Sequence, residues 1–422
     1  MIRFYNGNIL CFTPDLQIRS DEVWIDGSRI CYVGPACEDA PLFDRQIDLR
    51  GDLLMPGFKN AHTHTAMTFL RSLADDRELQ GWLREIVWPN EAKLTDEAVY
   101  IFTTLGIMEY LSSGITASFD MYVHNEAYAK ANVDAGFRTV ICSGLNNFDA
   151  DVENIEREYL RFNSYHELVS YRLGIHAEYT TSLDRMEYLA SLAEKYKAPC
   201  FTHLCETKAE AEGCIERYGM SATQVLDKIG FFRYGGGGFH CCYLTEEDIR
   251  YFSDHGLWAV TCPASNLKLA SGIAPVEKMR KCGVQFAIGT DGASSNNALD
   301  FFREMYLVST LQKIYEEDAA ACPAGEVMKM ACVNGARALS LPDCDDIAPG
   351  KLADLIVIDL NRPNMHPLNN PAVNLVYSGS KENIRLTMVN GKILYENGKF
   401  MIGQSPEEVY RAADAFCRGL IR

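Results

Sequence analysis

The chain of 422 residues has few histidines, fewer basic than acidic residues, and few long apolar segments. It has 57 Asp and Glu against 40 Lys and Arg, a formal net charge of −17. This shortage of positive charge argues against a nucleic acid polymer as partner, because phosphate binding needs a basic surface. The same shortage does not exclude a small nucleoside as a ligand.

No apolar run approaches the roughly 18 residues that a membrane span needs, so no membrane association is expected. The first residues, MIRFYNGNIL, lack a basic segment followed by an apolar one, and a cytoplasmic location is therefore expected. The fifteen cysteines form no C-x-x-C pair, so buried thiols are expected rather than disulfides.

Two patterns divide the chain. Residues 1–55 and 346–405 show short alternating runs joined by turn signals, and together they predict one small β-sandwich domain. A C-terminal helix is expected over 406–422. The hairpin signals of the two segments are the pairs Asn6-Gly7, Asp26-Gly27, Asn390-Gly391 and Asn397-Gly398.

Residues 56–345 contain eight short apolar runs, most of them separated by segments with helical periodicity. Such an alternation of strands and helices predicts an α/β fold, a (β/α)8 TIM barrel. Active sites of such barrels lie at the C-terminal ends of the strands. Five of the nine histidines and two carboxylates follow the runs at these ends: His62, His64, His176, His203, Glu206, His240 and Asp291.

The pair His62 and His64, in NAHTHTAMT, is the most specific of these signals. Alternate residues of a strand point to the same side, so both rings face one point. In a packed core each ring would need a hydrogen-bonding partner, and metal ligation is the simpler explanation. With His203 and Asp291 the donors are three nitrogens and one oxygen, which suits one divalent ion. Zinc is the first expectation, and iron or manganese would fit the same donors.

Taken singly, the remaining residues have structural explanations. A lone strand-end histidine such as His176 is often a hydrogen-bonded structural residue. Asp291 precedes a glycine and can belong to a turn. Glu206 can stabilise the first turn of a helix through the helix dipole.

Several stretches together resemble the amidohydrolase superfamily and, within it, the 5′-methylthioadenosine/S-adenosylhomocysteine deaminases. The resemblance covers nearly the whole chain. It implies hydrolysis of an adenosine-type nucleoside to the inosine analogue and ammonia, and a homo-oligomer, dimer or tetramer. The stretches are PGFKNAHTHTAMTFLRSLADD, WPNEAKLT, THLCET, TCPASNLKLASGIAPV and GTDGASSNNALD.

The resemblance also implies residue roles. His62, His64, His203 and Asp291 match the metal ligands, and Asp291 also takes the proton of the attacking water.

Four further residues match catalytic and substrate-binding positions of the family. Glu206 matches the acid that protonates the purine ring nitrogen, so its pKa is expected above that of an ordinary carboxyl. His240 matches the histidine that orients the attacking water. Glu91, in WPNE, matches a carboxylate that binds the ribose hydroxyls, and His176 matches a substrate-binding histidine.

The sequence departs from the family where the 5′ end of the nucleoside would bind. Members that act on S-adenosylhomocysteine hold its carboxylate with arginines near and after the third strand. Residues 142–154 of this chain contain no Arg or Lys, and they include Asp149 and Asp151. A neutral 5′ group is therefore expected, as in 5′-methylthioadenosine, 5′-deoxyadenosine or adenosine, although Arg157 or Arg161 could reach the site.

Three alternatives stay open. His-Ala-Glu at 176–178, followed by Pro199-Cys200, matches part of another zinc deaminase signature, but that class needs a cysteine at position 203. The same metal ligands could serve another heterocycle, such as guanine, an oxidised purine or a triazine, although Glu91 favours a ribose. A non-catalytic protein of this fold would be expected to lose the ligands that this chain retains.

Overall fold

The computed structural model describes residues 1–73, 75–148 and 151–420, and Asp149 lies outside them. Eight parallel strands pair in chain order, each with the next, and helices alternate with them. The predicted (β/α)8 barrel is confirmed. Its strands are Phe58–Thr63, Ile115–Met121, Arg138–Cys142, Val169–Ala177, Cys200–Leu204, Gly236–His240, Trp258–Thr261 and Gln285–Ile288.

The first and eighth barrel strands meet through side-chain and loop hydrogen bonds. The main-chain N–H of Thr290 donates to Asn60 Oδ1 at 2.9 Å, and Asn60 Nδ2 donates to Thr290 Oγ1 at 2.7 Å. The N–H of Asp291 donates to the His62 carbonyl at 3.0 Å. A Cβ on Gly289 would lie 2.8 Å from that same carbonyl oxygen, so the approach requires glycine. These contacts close the barrel and hold Asp291 next to His62 and His64.

Strands from both ends of the chain form two further sheets, with a shared apolar core that includes Phe4 and Ile25 of one sheet and Leu54 and Val357 of the other. The predicted β-sandwich from the two terminal segments is confirmed. One sheet contains Ile2–Tyr5, Glu22–Asp26, Arg29–Gly34 and Arg45–Asp48. The other contains Asn8–Cys11, Gln17–Arg19, Leu53–Pro56, Leu355–Ile358, Ile384–Val389, Lys392–Glu396 and Lys399–Phe400.

Three of the four predicted hairpins form, at Asp26-Gly27, Asn390-Gly391 and Asn397-Gly398. The hairpin predicted at Asn6-Gly7 is wrong, because the strands on either side of it belong to different sheets. A Cβ on Gly7 would come within 2.3 Å of the Leu49 Cβ. This glycine therefore permits a close crossing between the sheets, and its sequence signal resembles that of a turn.

The helices include Asp96–Ser112, which contacts the C-terminal helix Pro406–Leu420 through Phe102 and Phe416, with ring centroids 6.2 Å apart. The division of the chain into domains after residues 55, 345 and 405 stays a prediction. The remaining α-helices are Leu79–Trp82, Trp88–Glu91, Asn125–Ala135, Asn154–Phe162, Leu183–Tyr196, Lys208–Tyr218, Ala222–Lys228, Glu246–Asp254, Pro263–Lys268, Val276–Lys281, Ala293–Asn296, Phe301–Tyr315, Ala324–Lys329, Gly335–Ala338 and Pro371–Tyr377.

Shorter helical turns complete the description. The 3₁₀ turns are Thr65–Leu70, Glu178–Thr180, Pro342–Cys344, Pro363–Met365 and Lys381–Asn383, and the π turns are Leu83–Val87 and Met330–Asn334. Among the described residues, no helix combines the length and apolar character needed to cross a membrane.

A buried ion pair joins the barrel to the terminal sheets. Arg138 Nε in the third barrel strand donates to Asp354 Oδ2 at 2.6 Å, and Arg138 Nη2 donates to the Asn390 side chain at 3.1 Å. Both charged side chains are almost inaccessible to solvent. Burial alone would raise the pKa of Asp354, but the guanidinium of Arg138 outweighs it and lowers that pKa.

We expect Asp354→Asn to lower the free energy of unfolding by about 3–5 kcal/mol, because it leaves a buried guanidinium without its counter-charge. The shift in the urea-unfolding midpoint measures this effect. The control is Asp343→Asn, whose partner Arg29 and own carboxylate are each 52% exposed. Its effect should stay below about 1 kcal/mol. Equal shifts for the two variants would contradict the prediction.

Candidate metal centre and active site

One cavity of about 620 Å³ opens where the C-terminal ends of the barrel strands meet. Its wall includes seven of the eight residues that the sequence predicts for the site: His64, Glu91, His176, His203, Glu206, His240 and Asp291. The eighth, His62, is fully buried, and its ring centroid lies 4.9 Å from that of His64. The fold therefore brings together residues that are up to 229 positions apart, from His62 to Asp291.

Two overlapping groups of metal-ligating atoms occur among the described residues. The ligand atoms of His62, His64 and Asp291 lie within 4.8 Å of one another, and so do those of His62, His203 and His240. Asp291 Oδ1 is 3.3 Å from His64 Nε2 and 3.8 Å from His62 Nε2. The four predicted ligands are thus divided between two groups that share His62. The ring nitrogen of His240 lies within 4.8 Å of those of His62 and His203, so His240 is close enough to be a ligand as well.

The surroundings of His62 fit a divalent cation. Both of its ring nitrogens are buried, and neither forms a hydrogen bond with a described residue. An unpaired buried polar group costs roughly 1–3 kcal/mol, which a metal ligand avoids. Burial lowers the pKa of His62, and the imidazoles of His203 and His64 lower it further. The ring is therefore neutral, which is the form that binds metal.

Main-chain carbonyls orient two other imidazoles. His64 Nδ1 donates to the Met121 carbonyl at 2.5 Å, and His203 Nδ1 donates to the His176 carbonyl at 2.6 Å. A carbonyl only accepts, so Nδ1 carries the hydrogen in both rings. The lone pair of each Nε2 is left available for a cation, as in metal sites whose ligands are held by a second hydrogen bond.

The Asp291 carboxylate is held at both oxygens. Ser265 Oγ donates to Oδ2 at 2.6 Å, and the N–H of Gly292 donates to Oδ1 at 2.7 Å. Burial acts to raise the pKa of Asp291, but the imidazoles of His64 and His240 outweigh it and lower that pKa. The group is therefore an ionised carboxylate, able to ligate a cation and to accept a proton.

Glu206 lies beside His240, which also belongs to the second group of ligand atoms. Glu206 Oε2 lies 3.8 Å from His240 Nε2, and Glu206 Oε1 accepts from Ser271 Oγ at 2.7 Å. The Asn266 side-chain oxygen accepts from His240 Nδ1 at 2.7 Å. Burial raises the pKa of Glu206, as expected from the sequence. Burial lowers the pKa of His240, but Glu206 and Asp291 outweigh it and raise that pKa.

A further buried carboxylate, Glu210, supports the loop that carries Glu206. Its two oxygens accept the main-chain N–H groups of Cys205 at 3.0 Å and of Glu206 at 2.8 Å. Cys205 has a φ of 50°, an uncommon value for a residue with a side chain. The two hydrogen bonds hold this strained turn and thereby the position of the Glu206 backbone.

Glu91 and His176 lie on the wall of the same cavity. Glu91 ends a short helix that follows a π turn, a feature frequent at functional sites. Burial raises the pKa of Glu91 to about 7, although the Tyr122 hydroxyl acts to lower it. Burial also lowers the pKa of His176 to about 4, so this ring is neutral at pH 7. Its Nδ1 lies 2.9 Å from Thr180 Oγ1.

The residues that hold the catalytic groups are not among the sequence-predicted site residues. Ser265, Asn266 and Ser271 follow the seventh barrel strand and contact Asp291, His240 and Glu206 respectively. All three occur in TCPASNLKLASGIAPV, one of the stretches that carry the family resemblance. That signal could have marked the loop as part of the site, but it does not identify the partners.

The two arginines considered as partners for a 5′ carboxylate, Arg157 and Arg161, form ion pairs elsewhere. Arg157 pairs with Asp151, and Arg161 Nη2 lies 2.7 Å from Glu126 Oε1. No lysine or arginine occurs among the described residues that line the cavity.

A (β/α)8 barrel whose strand ends combine histidines, an aspartate and a buried glutamate of raised pKa is the arrangement of a metal-dependent hydrolase. The amidohydrolase family profile matches residues 53–394, and the chain belongs to this family. The resemblance seen in the sequence is confirmed.

Curated relatives match over nearly their whole length. The chain is 39% identical to the 5-methylthioadenosine/S-adenosylhomocysteine deaminase of Pyrococcus furiosus, over 94% of this chain and 95% of the relative. It is 38% identical to the enzyme of that name from Caldanaerobacter subterraneus, over 99% and 98%. An adenosine deaminase from Xanthomonas campestris with bound zinc aligns with a TM-score of 0.94 at 29% identity, covering 99% of this chain and 98% of that structure.

Proposed function

We propose that this protein is a metal-dependent deaminase that converts an adenosine-type nucleoside to its inosine analogue and ammonia. The observation that carries the proposal is the position of Glu206 beside His240 and the two groups of ligand atoms, at one cavity. Relatives that are 36–39% identical and are named as deaminases of such nucleosides support it.

His62, His64, His203 and Asp291 would hold the ion. Zinc is proposed because the Xanthomonas campestris adenosine deaminase binds it and because nitrogen and oxygen donors suit it. When bound, such an ion supplies a water whose pKa falls from about 15.7 to roughly 7.

The chain's own residues supply the proton transfers. Glu206, with its raised pKa, holds the proton that the purine ring nitrogen receives during attack at the amino-bearing carbon. When the bond to the amino nitrogen breaks and the carbonyl forms, Glu206 regains a proton from the new hydroxyl. Asp291 is ionised and receives the proton of the attacking water, which it returns to the departing ammonia. His240 Nε2, beside Glu206, stabilises the negative charge that develops during attack.

The substrate contacts follow from the rest of the cavity. Glu91 accepts hydrogen bonds from the ribose hydroxyls, and the neutral His176 donates to or accepts from the nucleoside. Because the described lining contains no lysine or arginine, a 5′ carboxylate would have no such cation to pair with there, and S-adenosylhomocysteine is disfavoured. A homo-oligomer, dimer or tetramer, and a cytoplasmic location stay predictions.

A panel of nucleosides and bases tests the proposal. We expect adenosine, 5′-deoxyadenosine and 5′-methylthioadenosine to release ammonia with the absorbance change from adenine to hypoxanthine. Free adenine and guanine should have kcat/KM values lower by at least about 100-fold, because they lack the ribose that Glu91 binds. S-adenosylhomocysteine should fall below the neutral nucleosides.

Glu91→Gln is the matched variant for this panel. It should lower kcat/KM for the nucleosides and leave any residual activity on free bases unchanged. Preference of the wild-type protein for guanine, a triazine or free adenine would overturn the proposal, as would an absence of ammonia with every nucleoside.

A further inference from the structure

The cavity extends beyond the catalytic residues to the fourth barrel strand and the helices Asn125–Ala135 and Asn154–Phe162. The wall in this part includes Glu158, Asn125 and Tyr171. None of these residues has a role in the deamination proposed above. Their hydrogen bonds and charges indicate what this part of the cavity can bind.

Glu158 carries a negative charge that no described basic side chain neutralises with an ion pair. Its Oε2 accepts from the Tyr171 hydroxyl at 2.9 Å and from Asn125 Nδ2 at 2.9 Å, and both donors are neutral. The nearby Arg161 is paired with Glu126. The carboxylate is therefore held in position while its other oxygen, Oε1, accepts no hydrogen bond from the described residues.

Asn125 adds a second available acceptor. Because a carboxylate only accepts, Asn125 must turn its NH₂ group toward Glu158 and its Oδ1 away. That Oδ1 is buried, and no described residue donates to it. An unsatisfied buried acceptor is unfavourable, so a ligand with several N–H donors would gain from this position.

We propose that Glu158 and Asn125 form a subsite for an ammonium group at the end of a 5′ substituent of the nucleoside. This inference rests on the proposed deaminase function and extends it from neutral 5′ groups to positively charged ones. An ammonium carries three donors and a charge, and it forms charge-assisted hydrogen bonds with Glu158 Oε1 and Asn125 Oδ1. A terminal carboxylate would meet only acceptors and a like charge.

Three series of 5′-alkylthio-5′-deoxyadenosines test the subsite, each with two to five methylenes and ending in an ammonium, a hydroxyl or a carboxylate. At the best linker length, kcat/KM for the ammonium compound should exceed that for the hydroxyl compound by about 10- to 100-fold. The carboxylate compound should fall below both. Added salt should reduce the ratio between ammonium and hydroxyl compounds, because the subsite opens to solvent.

Glu158→Gln should bring the ratio of ammonium to hydroxyl compounds close to one. Since the ratio compares two substrates in one protein, it does not depend on the amount of folded variant. Glu153→Gln is the control, because it removes the same charge from an exposed residue outside the cavity wall, leaves the Arg161–Glu126 pair intact and should leave the ratio unchanged.

The outcomes separate the two proposals. Turnover of adenosine with equal kcat/KM for the three end groups would overturn the subsite and leave the deaminase function standing. A preference for ammonium that persists in Glu158→Gln, or that does not respond to salt, would also overturn the subsite. Absence of ammonia release with every nucleoside would overturn the deaminase function and the subsite with it.

Discussion

Exhaustive chelation is expected to lower the rate of adenosine deamination by more than about 1000-fold, because no other described group can bring the pKa of water from about 15.7 to near 7. The measurement is the initial rate before and after dialysis against a chelator, with metal content determined on the same samples. Adding back zinc, iron and manganese separately should restore the rate, and the ion that restores it most fully identifies the cofactor.

His62→Asn extends this experiment, because His62 belongs to both groups of ligand atoms. The variant should contain little metal and should not recover activity when any of the three ions is added. The control is His255→Asn. This exposed histidine follows the helix Glu246–Asp254 and does not line the cavity, so the variant should retain the metal content and rate of the wild type. Full turnover in metal-free wild-type protein would contradict the prediction.

Glu206→Gln is expected to lower kcat by about 10²- to 10⁴-fold, the usual contribution of a general acid. Burial raises the pKa of Glu206, so the carboxyl keeps its proton to a higher pH than an exposed glutamate does. The protonated form is the active one, and the wild-type rate should therefore fall as the pH rises through that pKa. The measurement is the pH profile of kcat for adenosine.

The amide of Glu206→Gln does not titrate, so the alkaline decline assigned to Glu206 should be absent from the variant's residual rate. Glu216→Gln, an exposed position on the following helix, is the control and should keep both the rate and the profile. A Glu206→Gln rate within tenfold of the wild type, or an unchanged alkaline decline, would show that another group donates the proton.

The barrel could be predicted because each of its strands carries a local signal. Short apolar runs such as those ending in His62 and His203 are followed by helical periodicity, and only a few folds alternate in this way. The hairpin at Asn6-Gly7 was predicted wrongly because Asn-Gly pairs favour positive φ wherever the chain bends. A local signal does not say whether the next strand pairs in the same sheet.

The candidate site could also be predicted only in part. Strand-end histidines and carboxylates could be found because parallel strands in a barrel end at one face. The residues that form hydrogen bonds with those side chains could not be predicted. Ser265 is 26 residues from Asp291, and Ser271 is 65 residues from Glu206, and no spacing in the sequence links them.

The sequence by itself determined the fold class, which depends on the order of local elements, and its resemblance to known deaminases indicated the family and the eight residues proposed for catalysis and binding. Only the tertiary structure decided which atoms meet: that His62 belongs to two groups of ligand atoms, that Ser265 holds Asp291, and that Asn125 and Tyr171, both neutral, donate to Glu158. Hydrogen bonds and pKa values depend on distances of a few ångströms and on burial. Both are set by how distant segments pack.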